Sequence, residues 1–447
     1  MATVAPSSAS PPTGHLLRLL GVAFGLAVGI GSMVGGGILR TPGAVAAAAP
    51  DMVVIMALWL FGAVHILLGA NIAVELFTAI PKAGGSFVPV RRAFGGFPAM
   101  VIGWTDALTN AAWIASLGIA GAEFLALAWP GVGDHKLSFA IVLIGGLAGI
   151  NALGVREGRA AQMITTILKV GLLVGIIVAA VALPGAPASA TSGPGIAIGI
   201  AAILSAYQLV YGAYTGWQNP TYFVEEDVAP GRNLPRAIFW SILAVALLYF
   251  GINAALFHSM SVGELAGQQI PVGELLERLL GRSGSIALGL TGFVIILGCC
   301  NAGILCGPRI LFGLARAGLF PRYATQVSAS GTPLVALAIF LLLSIAMTAT
   351  GSFEAAFRLM GTLTVVMFVA VDLSFFALRR SEPALDRPFR AVGYPLLPAL
   401  ALMLDIGFTV LILWYDPRSG LTTLALIAAT APIWLLTKRF RHAAEPA

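Results

Sequence analysis

The sequence predicts an all-α integral membrane protein of about twelve transmembrane helices, on three observations. First, the 447 residues are 58% hydrophobic and only 10% charged, with a mean hydropathy of +0.94. Soluble domains carry roughly a quarter charged residues and under half apolar ones, so most of this chain must face lipid or other buried helices. Second, apolar stretches of about twenty residues, long enough to cross the hydrocarbon as a helix, recur along the whole chain. Third, Lys and Arg are unequally divided between alternate connections. With a cytosolic N-terminus, eighteen of the 25 collect on the inner side, and six (Arg40, Lys136, Arg278, Arg282, Arg358 and Arg418) on the outer side. This asymmetry fits cytosolic placement of both termini, and an odd number of spans would scramble it.

In chain order the expected spans are 16–48, 52–79, 97–129, 137–155, 161–183, 196–223, 236–258, 284–316, 333–350, 353–378, 395–415 and 420–437. The first, sixth and eighth exceed one simple crossing, so breaks or extra turns are expected in them. Residues 1–15, rich in Ser, Pro and Ala, read as a disordered cytosolic tail. A cytosolic loop is expected at 379–394 and a second cytosolic tail at 438–447. The connection around Ser259–Ser283, with Glu264, Glu274, Glu277 and Arg278, reads as short amphipathic helices at the outer membrane surface.

Several classes are disfavoured. The net charge of +6 comes from residues scattered through short loops, so no nucleic-acid partner is implied. Cys299, Cys300 and Cys306 share one apolar stretch, without a disulfide framework or the His spacing of a zinc site. HExxH, GxSxG and CxxC motifs are absent, so neither catalytic residues, a metal nor a cofactor is expected.

Two segments carry the chemistry. The first span contains Ser32-Met33-Val34-Gly35-Gly36-Gly37. Each glycine weakens a helix by about 1 kcal/mol against alanine. Non-helical backbone at that depth survives only where it lines a cavity or packs on protein. A break there would leave a half-helix whose free N–H groups attract a carboxylate; close packing through small residues is the alternative reading. A dinucleotide-binding loop is excluded, because no strand precedes these glycines. The sixth span repeats the pattern in Tyr211-Gly212-Ala213-Tyr214-Thr215-Gly216-Trp217, followed by Pro220. Breaks five spans apart point to two inverted repeats, 16–183 and 196–378, with a midplane site between them and two further helices at 395–437. Tyr211, Tyr214 and Trp217 are candidates to wall or gate that site, or to act as packing anchors.

Lys169 lies about 15 Å into the fifth span, counted from Arg159. An ammonium at that depth faces a cavity or a polar partner. Cys299 and Asn301, at similar depth in the eighth span, are its candidate neighbours. Among other intramembrane polar residues, Glu75 and Glu123 sit near helix ends, where solvation or capping is the default. Asp106 is placed to brace Arg91 or Arg92, Asp372 to pair with Arg379, and His65 to pack through a hydrogen bond, with a proton relay as its alternative.

The chain resembles the amino acid–polyamine–organocation superfamily, especially bacterial relatives of L-type amino acid transporters, from about Leu20 to Phe440. The resemblance rests on Gly31-Ser32-Met33-Val34-Gly35-Gly36-Gly37-Ile38, Ala79-Ile80-Pro81-Lys82-Ala83-Gly84-Gly85 and Gly154-Val155-Arg156-Glu157-Gly158. It also rests on Gly216-Trp217-Gln218-Asn219-Pro220, Arg232-Asn233-Leu234-Pro235-Arg236-Ala237, Arg309 to Pro321 and Arg387-Pro388-Phe389-Arg390. It implies a five-plus-five inverted-repeat (LeuT-type) fold with discontinuous helices 1 and 6 plus two C-terminal helices, in the inner membrane. It further implies an amino acid substrate, whose carboxylate meets the backbone at Gly35, Gly36 and Gly37 and whose amino group meets carbonyls near Tyr211, Gly212 and Ala213. Lys169 matches a lysine occupying the region where sodium-driven relatives hold an ion, so exchange or proton-linked transport without sodium is expected. The in-class alternative is a polyamine or organic-cation exchanger; a non-transporting sensor would need a soluble domain that the chain lacks.

The chain departs from the family pattern twice. Gly35-Gly36-Gly37 replaces the frequent Gly-Ser-Gly or Gly-Ala-Gly, and Gly212 stands where relatives often carry a gating Phe. Gly131–Lys136 has no cysteine, so no disulfide-linked heavy chain is expected as partner.

Overall fold

The structure is a computed structural model that describes residues 16, 18–49, 51–182, 199–349, 353–415, 417–428, 430–431 and 434. The expected tails at 1–15 and 438–447, and the end of the twelfth span, lie outside the described residues. Among those described, the fold is helical, and its one β-type pairing is an isolated bridge between Leu20 and Asp227.

The first span is two helices, α1 (Val22–Met33) and α2 (Gly36–Ala48), bent by 42° at Val34–Gly35. There follow α3 (Met52–Ala79), α4 (Phe87–Phe94), α5 (Gly96–Ala128), α6 (Lys136–Leu153) and α7 (Val155–Ala180). α3 starts cleanly because Asp51 caps it, accepting from the Val53 and Val54 amides at 2.7 and 3.1 Å. α8 (Ile200–Tyr214) stops at Thr215, whose backbone is extended. Gly216, at φ +109°, then turns the chain into a short 3-10 segment at Asn219–Phe223. A side chain at Gly216 would suffer twice, from the positive φ and from contact with Ser32 at 2.8 Å.

α9 (Pro230–Ser259) leads to α10 (Val262–Ala266) and α11 (Pro271–Leu280), the short amphipathic helices expected after the seventh span. Ser261 and Glu264 form a capping box at α10, and hydrogen bonds from the Ser261 amide and hydroxyl hold the Glu264 carboxyl below its usual pKa. The chain finishes with α12 (Gly284–Arg316), α13 (Leu334–Thr348), α14 (Phe353–Ser381), α15 (Leu396–Tyr415) and α16 (Pro417–Ala428).

Among the described residues, seven helices, counted with the short helical segments that lead into them, are individually long and apolar enough to cross a membrane, and the bent α1–α2 pair makes an eighth. Of the expected spans outside that count, α14 has 29 residues and the other three are short. α8 and α13 have 15 residues each and α16 has 12; fifteen residues reach only about 22 Å. Of the breaks or extra turns expected in the eighth span, the extra turns are found: α12 runs unbroken through 33 residues with Pro308 inside it. At about 50 Å it is longer than the hydrocarbon is thick, and it absorbs the excess by length rather than by breaking. It packs along the equally long α5 at the centre of the molecule. α1 lies against α9, α7 and α12, and α2 against α8, α10 and α11.

Two expected side-chain pairings and one expected solvated carboxylate are corrected by long-range packing. Glu75 is buried rather than solvated, and its carboxylate takes Arg379, Arg387 and the Ala391 amide. Asp372 is therefore not the partner of Arg379. Asp106 does not brace Arg91 or Arg92; it accepts from Tyr222 Oη at 2.6 Å and Asn110 Nδ2 at 3.0 Å. A buried carboxylate takes whichever donors reach it first, and sequence distance does not reveal those.

Candidate functional site

The two breaks lie side by side, and specific side chains hold them open. α1 ends at Met33, leaving carbonyls without helical N–H partners. Lys169, fully buried on α7, donates to Gly31 O and to Val34 O (2.9 Å). The Cys299 thiol lies 3.1 Å from Gly31 O and 3.0 Å from Val34 O. Tyr249 Oη reaches Met33 O at 2.7 Å and Ala213 O at 2.8 Å, joining the broken end of α1 to that of α8. Asn219 Nδ2 donates to Ser32 Oγ at 2.8 Å, a second bridge between the two segments.

On the other side of the break, α2 starts at Gly36 with Gly35 as its N-cap, and no side chain caps it. The N–H groups of a first helical turn have no intrahelical acceptor. Three glycines leave those of Gly36 and Gly37 sterically open, and the helix dipole adds a partial positive charge there.

These groups open into a cavity of about 450 Å³ lined by Ser32, Met33, Gly35, Gly36 and Gly37, by Gly212, Ala213 and Thr215 of the α8 end, and by Trp113, Ser116, Phe124 and Ile296. One end reaches Arg40 and the Gln268–Gln269 connection before α11. The volume suits a small ligand. The walls are mostly apolar, and Arg40 is the one ionisable residue among those lining it. Arg40 is held by Glu123 at 3.2 Å and lies 5.2 Å over the Phe124 ring.

The cavity therefore brings together Ser32, Met33, Gly35, Gly36, Gly37, Gly212 and Ala213, as the sequence suggested. It does not bring in the three aromatic candidates. Tyr214 packs between Trp59 and Tyr249 and donates to Trp59 O at 3.3 Å. Tyr211 and Trp217 line a separate, smaller space with His65 and Asp372. The reason is helical register: with Gly212 and Ala213 turned to the cavity, residues one position to either side point away from it. Asn301 does not meet Lys169 either. It donates to Gln162 Oε1 and accepts from Asn151 Nδ2, both at 2.9 Å, because two positions past Cys299 a helical residue has turned to the far face. The carbonyls of Tyr211 and Gly212 already accept from Thr215 Oγ1 and Thr215 N, and that of Ala213 shares the one Tyr249 hydroxyl proton with Met33 O, so an incoming amino group would use their remaining lone pairs.

Trp113, Ser116, Phe124, Ile296 and Tyr249 were not anticipated. Trp113, Ser116, Ala120 and Phe124 fall at helical spacing along one face of α5, a stripe that sequence alone cannot tell from ordinary packing.

A family model described as amino acid permease matches residues 16–437. The serine/threonine exchanger SteT of Bacillus subtilis (strain 168) is 27% identical over 402 residues, covering 87% of this chain and 89% of that protein. The branched-chain amino acid permease BcaP of the same organism is 26% identical over 424 residues, covering 89% and 90%. The human large neutral amino acids transporter small subunit 2 is 26% identical over 465 residues, covering 98% and 84%. Matched over nearly its whole length, and built of helices that cross a membrane several times, this chain belongs to the amino acid permease family of the amino acid–polyamine–organocation superfamily, whose members are transporters and not enzymes.

Proposed function

We propose that the protein is a secondary transporter moving neutral amino acids across a cytoplasmic membrane by alternating access. The observation that carries the reading is the uncapped start of α2 at Gly36, opening into an apolar cavity that no acidic side chain lines. A zwitterion places its carboxylate on the free N–H groups of Gly36 and Gly37 and its side chain against Trp113, Phe124 and Ile296. The twelve expected spans form two inverted repeats of five with two further helices. Both termini are cytosolic, and the Arg40 end of the cavity faces outward.

Sodium is not required in this reading, because the Lys169 ammonium already occupies the carbonyls of Gly31 and Val34. Exchange or proton-linked uptake remains. A disulfide-linked partner chain is not needed, since all three cysteines are buried. The relatives' names, which include a serine/threonine exchanger and a branched-chain permease, agree with small or aliphatic substrates. A polyamine exchanger of the same fold is disfavoured: it needs carboxylates in the cavity, while Asp106 is bound to Tyr222 and Glu123 to Arg40.

The test is purified protein in liposomes with a panel of labelled amino acids, with and without internal amino acid, a proton gradient and sodium. Uptake of neutral amino acids, unchanged by removing sodium, is expected. Failure to move any member of the panel, or preference for polyamines, defeats the reading. In the same assay Gly36→Trp should reduce uptake at least tenfold while leaving membrane insertion intact. A Cβ at Gly36 already meets Ile296 Cδ1 at 3.2 Å, so an indole must project into the space the substrate needs. Wild-type uptake by this variant would remove the α2 start from the site.

A further inference from the structure

A second polar site lies behind the end of α8, where four helices converge. His65 (α3), Tyr207 and Tyr211 (α8), Asp372 (α14) and Asp405 (α15) are all buried. His65 Nδ1 is hydrogen-bonded to Tyr207 Oη. His65 Nε2 lies 3.2 Å from Asp405 Oδ1 without hydrogen-bond alignment, and Tyr211 Oη donates to the same oxygen at 3.4 Å. The carboxyls of Asp372 and Asp405 line one space and lie close enough to hydrogen-bond to each other. The residues surround a space of about 20 Å³, enough for one water. Three buried polar atoms around it have no partner: His65 Nε2, Asp372 Oδ2 and Trp217 Nε1.

The transport cavity does not use this cluster, and packing does not need it. Neither Lys nor Arg lines the space, and Arg379, further along α14, is bound to Glu75. The other helices packed on these four are α2, α4, α5, α9 and α16, and no described residue of theirs lines the space. Two carboxyls facing one water-sized space repel each other as anions, and a proton bound between them relieves that repulsion. Uptake of one proton changes the net charge of the cluster by one. In a low-dielectric interior these two states differ strongly in solvation, and ionisable groups kept at such depth are characteristic of proton relays. The cluster also touches the transport machinery. Tyr211 immediately precedes Gly212 and Ala213, which line the main cavity, and Trp217 follows the Gly216 turn that rests on Ser32.

We infer that the His65–Asp372–Asp405 cluster binds the proton that drives amino acid uptake, one proton for each substrate. The inference rests on the transporter reading above and assigns its coupling ion and that ion's site. The proton enters from water on the side where the substrate binds and rides on the cluster as α8 moves. It leaves to water on the opposite side once the substrate has gone. Loading and unloading are felt by the substrate through the Tyr211–Asp405 contact at the end of α8.

The experiment uses the full chain in liposomes with the amino acid that the panel moves best, and a pH dye inside. At one proton per substrate, an inward gradient of one pH unit sustains about tenfold accumulation. Wild type should accumulate to about that level and acidify the lumen as it does so. Asp372→Asn and Asp405→Asn should lose both the accumulation and the acidification, yet still exchange internal for external amino acid. That exchange is also the control for folding. If Asp372→Asn does not exchange, Asp372→Glu takes its place and should keep coupling with a shifted pH midpoint; an unshifted midpoint counts against the site. Substrate movement without proton movement in wild type, or undiminished coupling in Asp372→Asn, overturns the inference. An infrared titration from about pH 5 to about pH 8 needs no substrate. It should show a buried-carboxyl band in wild type that Asp372→Asn removes. Absence of that band overturns the proton site. The band without uptake of any amino acid would instead fail the transporter reading and leave the proton site standing.

Discussion

Lys169→Ala is expected to abolish amino acid uptake in liposomes and to lower the unfolding temperature of the purified protein. The Nζ group donates to Gly31 O and Val34 O, carbonyls that α1 leaves unpaired because it stops at Met33. A buried acceptor without a partner costs about 1–3 kcal/mol. Loss of the four-carbon stem leaves a cavity that typically costs about 2–5 kcal/mol. The Cys299 thiol sits close enough to both carbonyls to offer a weak donor in place of the ammonium, so the net loss should fall near 3 kcal/mol. The functional loss is larger than the loss of stability. Without the lysine the turn between α1 and α2 is left to the weaker hold of Cys299, Tyr249 and Asn219, and the N–H groups of Gly36 and Gly37 point less firmly at one place. Lys169→Gln separates the two roles the side chain can have. It keeps a donor without the charge, so it should restore most of the stability. Any transport it restores measures how much of the site depends on hydrogen bonding alone. Uptake by Lys169→Ala at the wild-type rate and pH profile would remove the lysine from the mechanism.

What could be read in the sequence follows from which interactions are local. The breaks in the first and sixth spans are written as glycines, because backbone strain acts on a residue and its immediate neighbours. The depth of Lys169 is likewise a matter of counting along one helix. The direction of each aromatic ring on α8 depends on which face of that helix meets the cavity, and α3, α9 and α15 decide this. Tyr211 and Tyr214 were therefore placeable in the right segment but not on the right side. The same holds for Glu75, whose partners Arg379 and Arg387 lie some three hundred residues away. Tyr249 gave no signal at all: one tyrosine in an apolar span, it joins the two broken helices through a single hydroxyl.

The second large effect is expected at the end of the molecule opposite the cavity mouth. Arg309 of α12 grips both carboxylate oxygens of Glu226, with Nη2 at 2.8 Å from Oε2, and its guanidinium lies 4.3 Å over the Phe223 ring. Both side chains are almost fully buried. The backbone carbonyl of Glu226 accepts from the Leu19 and Leu20 amides at 3.1 Å, so this residue ties the approach to α1, the segment after α8, and α12 into one layer. Glu226→Ala strands a buried guanidinium and should cost about 3–5 kcal/mol. The neighbouring pair Glu225–Arg316 is partly exposed, and Glu225→Ala should cost about 1 kcal/mol or less. Removing both charges of the buried pair, as Glu226→Gln with Arg309→Gln, should recover much of the loss, since no lone charge is left behind. The transport consequence follows from the same geometry. In the orientation proposed above this layer closes the inner end of the cavity and so favours the state open at the other end, and weakening it moves the population the opposite way. Cys306, buried one turn before Arg309, reports the shift without any engineered label. A membrane-impermeant thiol reagent supplied on that face should modify it at least ten times faster in Glu226→Gln than in wild type, which corresponds to about 1.4 kcal/mol in the closing equilibrium. Equal rates in the two proteins would mean that the Arg309–Glu226 pair stabilises the fold and has no part in closing that end.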